Sequence, residues 1–337
     1  MKIFRIIASI LIVFAISFTA FYGKNKINLN STYNQNKEYK GIITLWQIDS
    51  FEGGCGSRKQ FLLDIARNFE KENSGVLVMV CSFTSDEANE KLKSGIEPDL
   101  ISFGGGVTVN PKCNINQNGD AGGKLKDKSY AISWCRGGYY LITDGVSDIC
   151  EKYNNGEKIR LDNLLLAKQK YLLPQLAAQM ANIKAINITE MASDRAYYAF
   201  INKKTQAFIG TQRDIVRLSN ANVDFKAVYL KEFCDINQYI AITSSDKIKS
   251  IYCQRFINFL LSERQQQKLS KIAMASYITD VKFENENLNQ MQNSTAKNTI
   301  SAFTMPEEII KTQYLALQAV SDKSDKENNF KNIIINS

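Results

Sequence analysis

Residues 41–103 read GIITLWQIDSFEGGCGSRKQFLLDIARNFEKENSGVLVMVCSFTSDEANEKLKSGIEPDLISF, and this stretch decides the fold. Short apolar runs alternate with segments whose apolar residues recur at helical spacing. The predicted strands are 41–47, 76–81 and 100–103, and the predicted helices are 57–71 and 86–93. This strand and helix order predicts a parallel sheet covered by helices, which is an α/β fold.

The loops that follow these strands form the predicted binding edge, because open α/β sheets bind ligands beyond the carboxyl ends of their strands. They are residues 46–57, 82–85 and 103–107. Thr84 and Glu87 have the spacing of a capping box at the start of the second helix. Any one glycine-rich loop is also compatible with a simple tight turn, but three loops on one edge favour a binding site.

The chain contains no histidine, which excludes several classes of enzyme. Ser-His-Asp triads, Cys-His pairs and zinc sites with histidine ligands are all impossible. The seven cysteines form no CxxC pair, so we predict mainly free thiols and no metal site. We also predict no cofactor and no catalytic residues.

The charge pattern excludes another class of partner. The net charge is +8, but lysines and acidic residues are interspersed along the chain. No basic stripe interleaves with aromatic residues, so we predict no nucleic-acid partner. The length of 337 residues is enough for two domains.

The N-terminal residues predict export. Lys2 and Arg5 precede an apolar run at 6–18, so residues 1–22 are read as a signal peptide or an N-terminal anchor. Residues 23–40 are rich in Asn, Lys and Ser and are read as a flexible tether. The expected location is the extracellular face of the cell membrane, secreted or anchored.

In the rest of the chain, short apolar runs typical of strands continue to alternate with segments of helical periodicity. The segment 130–143 predicts strands that cross out of the first lobe, and 239–243 is the candidate return strand. The other predicted strands are 183–188, 206–210 and 228–230, and the helices are 161–180 with a break at Pro174, 193–203, 211–218, 246–261, 262–272 and 306–320. Residues 285–298 are polar and read as a loop.

These motifs together resemble the extracellular solute-binding proteins of bacterial ABC importers, the carbohydrate-type family 1 with the type II periplasmic-binding-protein fold. The resemblance spans 41–283 and rests on ITLWQIDSFEGG, PDLISF after SGIEP, YAISWCRGGYYLIT, AFIG before a helix, and FINFLLSERQQQKLS. It implies two hinge-linked lobes that close over a small solute, with a sugar or oligosaccharide as the favoured class. It also implies a monomer that delivers the solute to the permease subunits of an ABC importer.

The resemblance also implies how the chain is divided. Residues 41–134 form the first part of lobe 1, 135–238 form lobe 2, and 239–285 return to lobe 1. Residues 286–337 form a C-terminal helix and tail.

The expected ligand-binding residues come from both lobes. They are Trp46, Glu52, Ser57, Phe103 and Gly104 in lobe 1, Thr211, Gln212 and Arg213 in lobe 2, and Trp134 and Tyr239 near the hinge. Thr211 to Arg213 open a helix whose free amides favour an anionic or hydroxyl-rich group. The alternative for Arg213 is an exposed surface side chain, and for both tryptophans it is packing in the core.

Two other functions remain open from the sequence. One is a secreted hydrolase that uses paired carboxylates, Glu52 with either Asp99 or Asp235. The other is a structural envelope protein with a vestigial cleft. Closure on a ligand without turnover would separate the receptor from both alternatives.

Overall fold

The computed structural model describes residues 39–51, 55–115 and 120–321, together with the backbone of 334–336. The predicted signal peptide or anchor, nearly all of the predicted tether, and Glu52 lie outside the described residues. Residues 41–337 form one compact unit.

The unit contains fourteen described strands. They are β1 (Gly41–Asp49), β2 (Val76–Thr84), β3 (Leu100–Phe103), β4 (Lys124–Leu125), β5 (Lys128–Ser129), β6 (Ala131–Arg136), β7 (Tyr139–Asp144), β8 (Ile159–Lys168), β9 (Ile183–Ala192), β10 (Ala207–Thr211), β11 (Phe225–Tyr229), β12 (Asn237–Ile242), β13 (Asn298–Ile300) and β14 (Ile334–Asn336).

The α-helices of the described ranges alternate with these strands. They are α1 (Arg58–Glu72), α2 (Ser85–Lys93), α3 (Ile149–Asn154), α4 (Pro174–Met180), α5 (Ser193–Ile201), α6 (Gln212–Asn220), α7 (Lys247–Leu260), α8 (Glu263–Gln266), α9 (Glu286–Asn293) and α10 (Pro306–Val320). Short 3-10 helices occur at Ala121–Gly123 and Gln267–Ile272. No helix in these ranges is long and apolar enough to span a lipid bilayer.

Two five-stranded mixed sheets define two lobes with the same strand plan. The order is β2-β1-β3-β12-β6 in lobe 1 and β9-β8-β10-β7-β11 in lobe 2. In each sheet one strand runs antiparallel to its neighbours, β12 in lobe 1 and β7 in lobe 2. The chain passes from one sheet to the other between β6 and β7 and returns between β11 and β12.

The register of the parallel strands sets the edge where a ligand can bind. Asp49 at the end of β1 is paired with Thr84 at the end of β2. Lys168 at the end of β8 is paired with Ala192 at the end of β9. Each lobe therefore presents two adjacent strand ends, followed by loops, at one edge of its sheet.

The helix boundaries show how local sequence fixes these elements. The predicted capping box at α2 is present, with Thr84 N donating to Glu87 Oε2 at 2.8 Å and Glu87 N donating to Thr84 Oγ1 at 3.3 Å. Gly95, just beyond α2, has a φ of 78°, the left-handed conformation that favours glycine. The start of β3 is thereby fixed close behind the helix.

Two predicted elements are wrong. The segment 161–180 was expected to be helical, but its first part lies in β8, and α4 begins only at Pro174. The apolar run of β8 has no helical or strand signature of its own, and its pairing with β9 and β10 decides its conformation. The polar segment 285–298 contains α9, which buries Leu288 and Met291 against lobe 2.

Candidate functional site

A cleft of about 610 Å³ lies between the two lobes, at the carboxyl ends of four parallel strands. Lobe 1 lines it with residues 49–51, 56–58 and 84–86, and lobe 2 with residues 168–171 and 192–194. Its volume is within the roughly 300–1,000 Å³ range of sites that enclose small molecules. The site therefore lies where open α/β sheets bind ligands.

A larger cavity of about 940 Å³ is lined by residues between positions 153 and 297. None of its lining residues comes from β1, β2, β3 or the loops that follow them. A ligand that drives hinge closure must contact both lobes, because only differential contacts shift the equilibrium between open and closed states. We therefore take the smaller interlobe cleft as the candidate site.

Arg58 is the most buried charged side chain of the cleft. Its side chain is 3% exposed, and its Nη2 lies 3.7 Å from Asp49 Oδ1. Nη2 also donates to the backbone oxygen of Phe51, and the guanidinium carbon lies 3.8 Å from the centre of the Phe51 ring. Burial lowers the pKa of Arg58, but an arginine remains cationic in a protein.

One carboxylate of lobe 1 accepts hydrogen bonds from lobe 2 across the cleft. Asp86, at the start of α2, accepts a hydrogen bond of 2.6 Å from Lys170 Nζ and one of 3.0 Å from the Tyr171 hydroxyl. The Lys170 hydrogen bond lowers the pKa of Asp86. A Cβ placed at Gly106 would lie 2.6 Å from Tyr171 Cγ, so the Tyr171 ring packs directly on this glycine.

The remaining charges on the lobe 2 wall are paired locally. Lys168 Nζ lies 3.2 Å from Glu190 Oε2. Asp194 Oδ1 lies 2.9 Å from Arg217 Nη1 and 3.7 Å from Arg213 Nη1. This wall thus offers carboxylate acceptors and ammonium donors whose positions are set by neighbours on lobe 2.

Of the residues expected at the site, Ser57 lines the cleft, where its hydroxyl accepts from Gln60 N at 3.3 Å. Gly104 packs behind the cleft residue Ser50, because a Cβ at position 104 would be 2.7 Å from Ser50 Oγ. Arg213 approaches the cleft through its contact with Asp194. Glu52 lies outside the described residues.

Thr211 and Gln212 are buried at the start of α6. Thr211 N donates to Asp214 Oδ2 at 2.9 Å, which caps the start of α6, and burial raises the pKa of Asp214 to about 6. Gln212 Oε1 accepts from Gly138 N at 3.0 Å, so its side chain supports the crossing between β6 and β7.

The four aromatic residues expected at the site lie in the core of lobe 1. Trp46 packs edge-on against Phe83, with ring centres 4.9 Å apart. Trp134 is stacked on Phe61 at 5.6 Å and donates from Nε1 to Ser102 Oγ at 2.9 Å. Phe103 and Tyr239 are fully buried neighbours in one cluster that also contains Trp46. Their part in ligand binding stays a prediction.

Several cleft residues were absent from the sequence-based expectation: Arg58, Asp86, Lys168, Lys170, Tyr171 and Asp194. Arg58 and Asp86 each follow an expected binding loop by one residue, so a wider window around the strand ends would have included them. Lys170 and Tyr171 were missed because they lie in the segment 161–180, which was predicted to be helical, whereas they connect β8 to α4.

The carboxylates considered for a hydrolase have structural partners. Asp99 accepts from Thr44 N at 2.9 Å and lies 3.2 Å from Lys249 Nζ. Asp235 accepts from the Tyr139 hydroxyl at 2.7 Å and from Leu173 N at 2.9 Å. Within the described part of the chain, no group of three or more Cys, Asp or Glu residues is placed to share a metal ion.

Solved structures with this architecture include proteins that bind different ligands. MalE of Bdellovibrio bacteriovorus, a maltose/maltodextrin-binding domain bound to maltotriose, is 15% identical, with 83% of this chain and 93% of that chain covered and a TM-score of 0.52. The galacto-N-biose-/lacto-N-biose I-binding protein of the ABC transporter from Bifidobacterium longum is 11% identical, with 83% and 91% covered and a TM-score of 0.54. Iron-bound HitA from Pseudomonas aeruginosa is 12% identical, with 82% and 99% covered and a TM-score of 0.50.

These likenesses show the fold. No protein-family model matches the chain, and no curated protein matches it in sequence. The shared architecture over more than four-fifths of the chain confirms the expected two-lobed periplasmic-binding-protein fold.

Proposed function

We propose that the chain is an extracytoplasmic solute-binding receptor that closes its two lobes over a small solute and delivers it to the permease of an ABC importer. The observation that carries this proposal is the interlobe cleft, in which Arg58 and Asp86 of lobe 1 face Lys170 and Tyr171 of lobe 2. A solute that bridges these groups would favour the closed state through its contacts with both lobes.

A sugar or oligosaccharide is the favoured solute. Structures of the same fold have been solved with maltotriose and with lacto-N-biose. The cleft also combines two aromatic rings, Phe51 and Tyr171, with charged groups of both signs. Rings can pack on the apolar faces of a saccharide while charged groups accept and donate hydrogen bonds to its hydroxyls.

The proposed receptor is not an enzyme and works as a monomer outside the cytoplasm. This location follows from the apolar N-terminal run with Lys2 and Arg5. The division into lobe 1 at 41–134 and 239–285 and lobe 2 at 135–238 is part of the same proposal. Protease added to intact cells should degrade the region beyond residue 40, and full protection would contradict the proposed location.

The decisive experiment is a thermal-shift screen of the purified protein with neutral and acidic mono- to tetrasaccharides. A saccharide at a hundred times its dissociation constant should stabilise the folded state by about 2.7 kcal/mol. The bound protein should also contract in small-angle X-ray scattering, and the saccharide should be recovered unchanged. Asp86→Asn should weaken binding, whereas the exposed Asp64→Asn, outside the cleft, should not.

Two outcomes would contradict the proposal. If hydrolysis products accumulate, the chain is an enzyme. If no saccharide stabilises the protein or contracts it, the saccharide class is wrong.

A further inference from the structure

Arg58 lacks acceptors that a buried guanidinium ordinarily has. Its Nε and Nη1 are buried and make no hydrogen bond with any described residue. Only Nη2 is used, by the backbone oxygen of Phe51 and the ion pair with Asp49. Two of the three nitrogens of a cation that lines the cleft therefore lack an acceptor among the described residues.

Ser50, which precedes the Phe51 that packs on Arg58, also has a buried polar atom without a partner in the described part of the chain. Its hydroxyl oxygen is buried without a hydrogen-bond partner among the described residues, and Ser50 also lines the cleft. Gly104, directly after β3, is a close neighbour, because a Cβ there would lie 2.7 Å from this hydroxyl. The lobe 1 wall thus places a neutral donor in the loop after β1 and a cationic donor at the start of α1, and each has at least one buried donor atom without an acceptor in the described ranges.

A buried donor without an acceptor destabilises the folded protein, and buried polar groups in proteins are normally hydrogen-bonded. A ligand that supplies oxygen acceptors would remove this deficit on binding. Carboxylate and phosphate both match a guanidinium through charge-assisted, directional hydrogen bonds, and carboxylate is the anionic group that a uronic acid carries. A neutral hydroxyl would supply an acceptor but would leave the half-exposed Asp49, 3.7 Å from Nη2, as the nearest anion that is described.

We propose that the lobe 1 wall recognises a carboxylate of the solute through Arg58 and Ser50, so that the preferred solute is an acidic saccharide containing a uronic acid. This inference rests on the proposed receptor function and names the chemical class of the solute that the receptor binds. Arg58 determines specificity because it distinguishes a uronate from the neutral sugar of the same ring size.

The test compares matched pairs of ligands by titration calorimetry on the full chain. The pairs are galacturonic acid with galactose, glucuronic acid with glucose, and the corresponding di- and trisaccharides. For at least one pair the wild-type protein should bind the acidic member about tenfold or more tightly than the neutral one. The preference should weaken as salt is added, because the ion pair is partly screened.

Variants assign the preference to Arg58. Arg58→Gln should reduce the acidic-to-neutral ratio of affinities to near one, and Arg58→Lys should restore part of it. Arg67→Gln removes an exposed arginine of the same helix and should leave the ratio unchanged. If the Arg58 variants do not fold, the ratio and salt dependence of the wild-type protein decide the matter.

The outcomes separate this inference from the function on which it rests. Neutral saccharides that bind as tightly as their uronates would overturn the inference and leave the receptor function intact. A preference for uronates that survives in folded Arg58→Gln would also overturn it. Failure of both sets to bind would contradict the saccharide class of the proposed function, and the inference would fall with it.

Discussion

Lys170 Nζ lies 2.6 Å from Asp86 Oδ2, so an ion pair joins the two lobes directly across the cleft. The adjacent Tyr171 hydroxyl donates to the other oxygen of the same carboxylate. Both charged side chains are more than half exposed, at 60% for Lys170 and 55% for Asp86. Exposed pairs of this kind contribute about 0–1 kcal/mol, so the contact biases closure without locking it.

Asp86→Asn should shift the unliganded protein towards the open state. The variant keeps an acceptor for Tyr171 but loses the charge that attracts Lys170. The radius of gyration of the unliganded protein in small-angle scattering should increase, and solute affinity should fall by no more than about fivefold. Lys152→Met, which removes an exposed ion pair outside the cleft, is the control. An unchanged radius and unchanged affinity in Asp86→Asn would show that the ion pair does not favour closure.

Gly106→Ala should weaken closure through the contact with Tyr171. Gly106 has a φ of 84°, and an added Cβ would lie 2.6 Å from Tyr171 Cγ. Gly95→Ala is a matched control, because its φ is 78° and no atom lies within 4 Å of the added Cβ. Both variants should lose about 1–2 kcal/mol of stability from the backbone conformation alone.

The difference between the two glycine variants isolates the interlobe contact. Gly106→Ala should lose more stability in urea unfolding than Gly95→Ala and should also bind the solute more weakly. Equal losses at both positions, with equal affinities, would mean that Tyr171 moves aside freely and has no role in closure.

The α/β architecture was predictable because residues 41–103 carry strand and helix periodicities with clear caps. The order of elements there matches the structure. The failure at β8 has a physical reason: its central run, Leu164 to Ala167, is buried on both faces of a sheet. Such a run has no alternation, so the sequence alone cannot separate a buried strand from a buried helix.

The candidate site was less predictable than the fold. Trp46 lies near the end of β1, where a ligand contact was expected, but Leu45 to Ile48 are all buried. When both faces of a strand are buried, its sequence has no alternation of apolar and polar residues. The sequence then does not indicate which side chains at the end of the strand reach the cleft. The partners of Asp86 are 84 and 85 residues away in sequence, a distance over which no local signal could connect them.

The tryptophan prediction separates a core role from a binding role. Trp46 is 7% exposed, so Trp46→Ala should destabilise the unliganded protein by about 3–5 kcal/mol. Arg213, with 26% of its side chain exposed beside Asp194, should cost little stability when replaced by Ala. Arg213→Ala should instead weaken solute binding by about 1–3 kcal/mol, as expected for a lost charged hydrogen bond.

Titration calorimetry and urea unfolding on both variants decide between these roles. Lys203→Ala, at an exposed position on lobe 2, controls for general effects of removing a cation. Unchanged affinity in Arg213→Ala would mean that Arg213 only supports Asp194. Strongly reduced affinity in Trp46→Ala at temperatures where the variant remains folded would instead place Trp46 at the ligand.

The last prediction concerns the pH dependence that Asp235 gives to stability. Burial raises the pKa of Asp235 to about 7, although hydrogen bonds from Tyr139 and Leu173 partly oppose the shift. In the unfolded chain an aspartate has a pKa of about 3.9, so between about pH 4 and 7 the folded state binds the extra proton. The contribution of Asp235 to the free energy of unfolding is therefore fully present below about pH 4 and is lost as the pH rises through 7.

Asp235→Asn removes this titration and keeps a side chain of the same shape between Tyr139 and Leu173. The free energy of unfolding of the wild-type protein, minus that of Asp235→Asn, should decrease from pH 4 to pH 7.5 by at most about 4 kcal/mol and then level off. Subtracting the variant cancels the other titrating groups, including the buried Asp214, whose pKa is raised to about 6. Urea unfolding at four pH values between 4 and 9 measures the difference, and a difference that is constant or rises with pH would show that Asp235 is ionised in the folded state throughout this range.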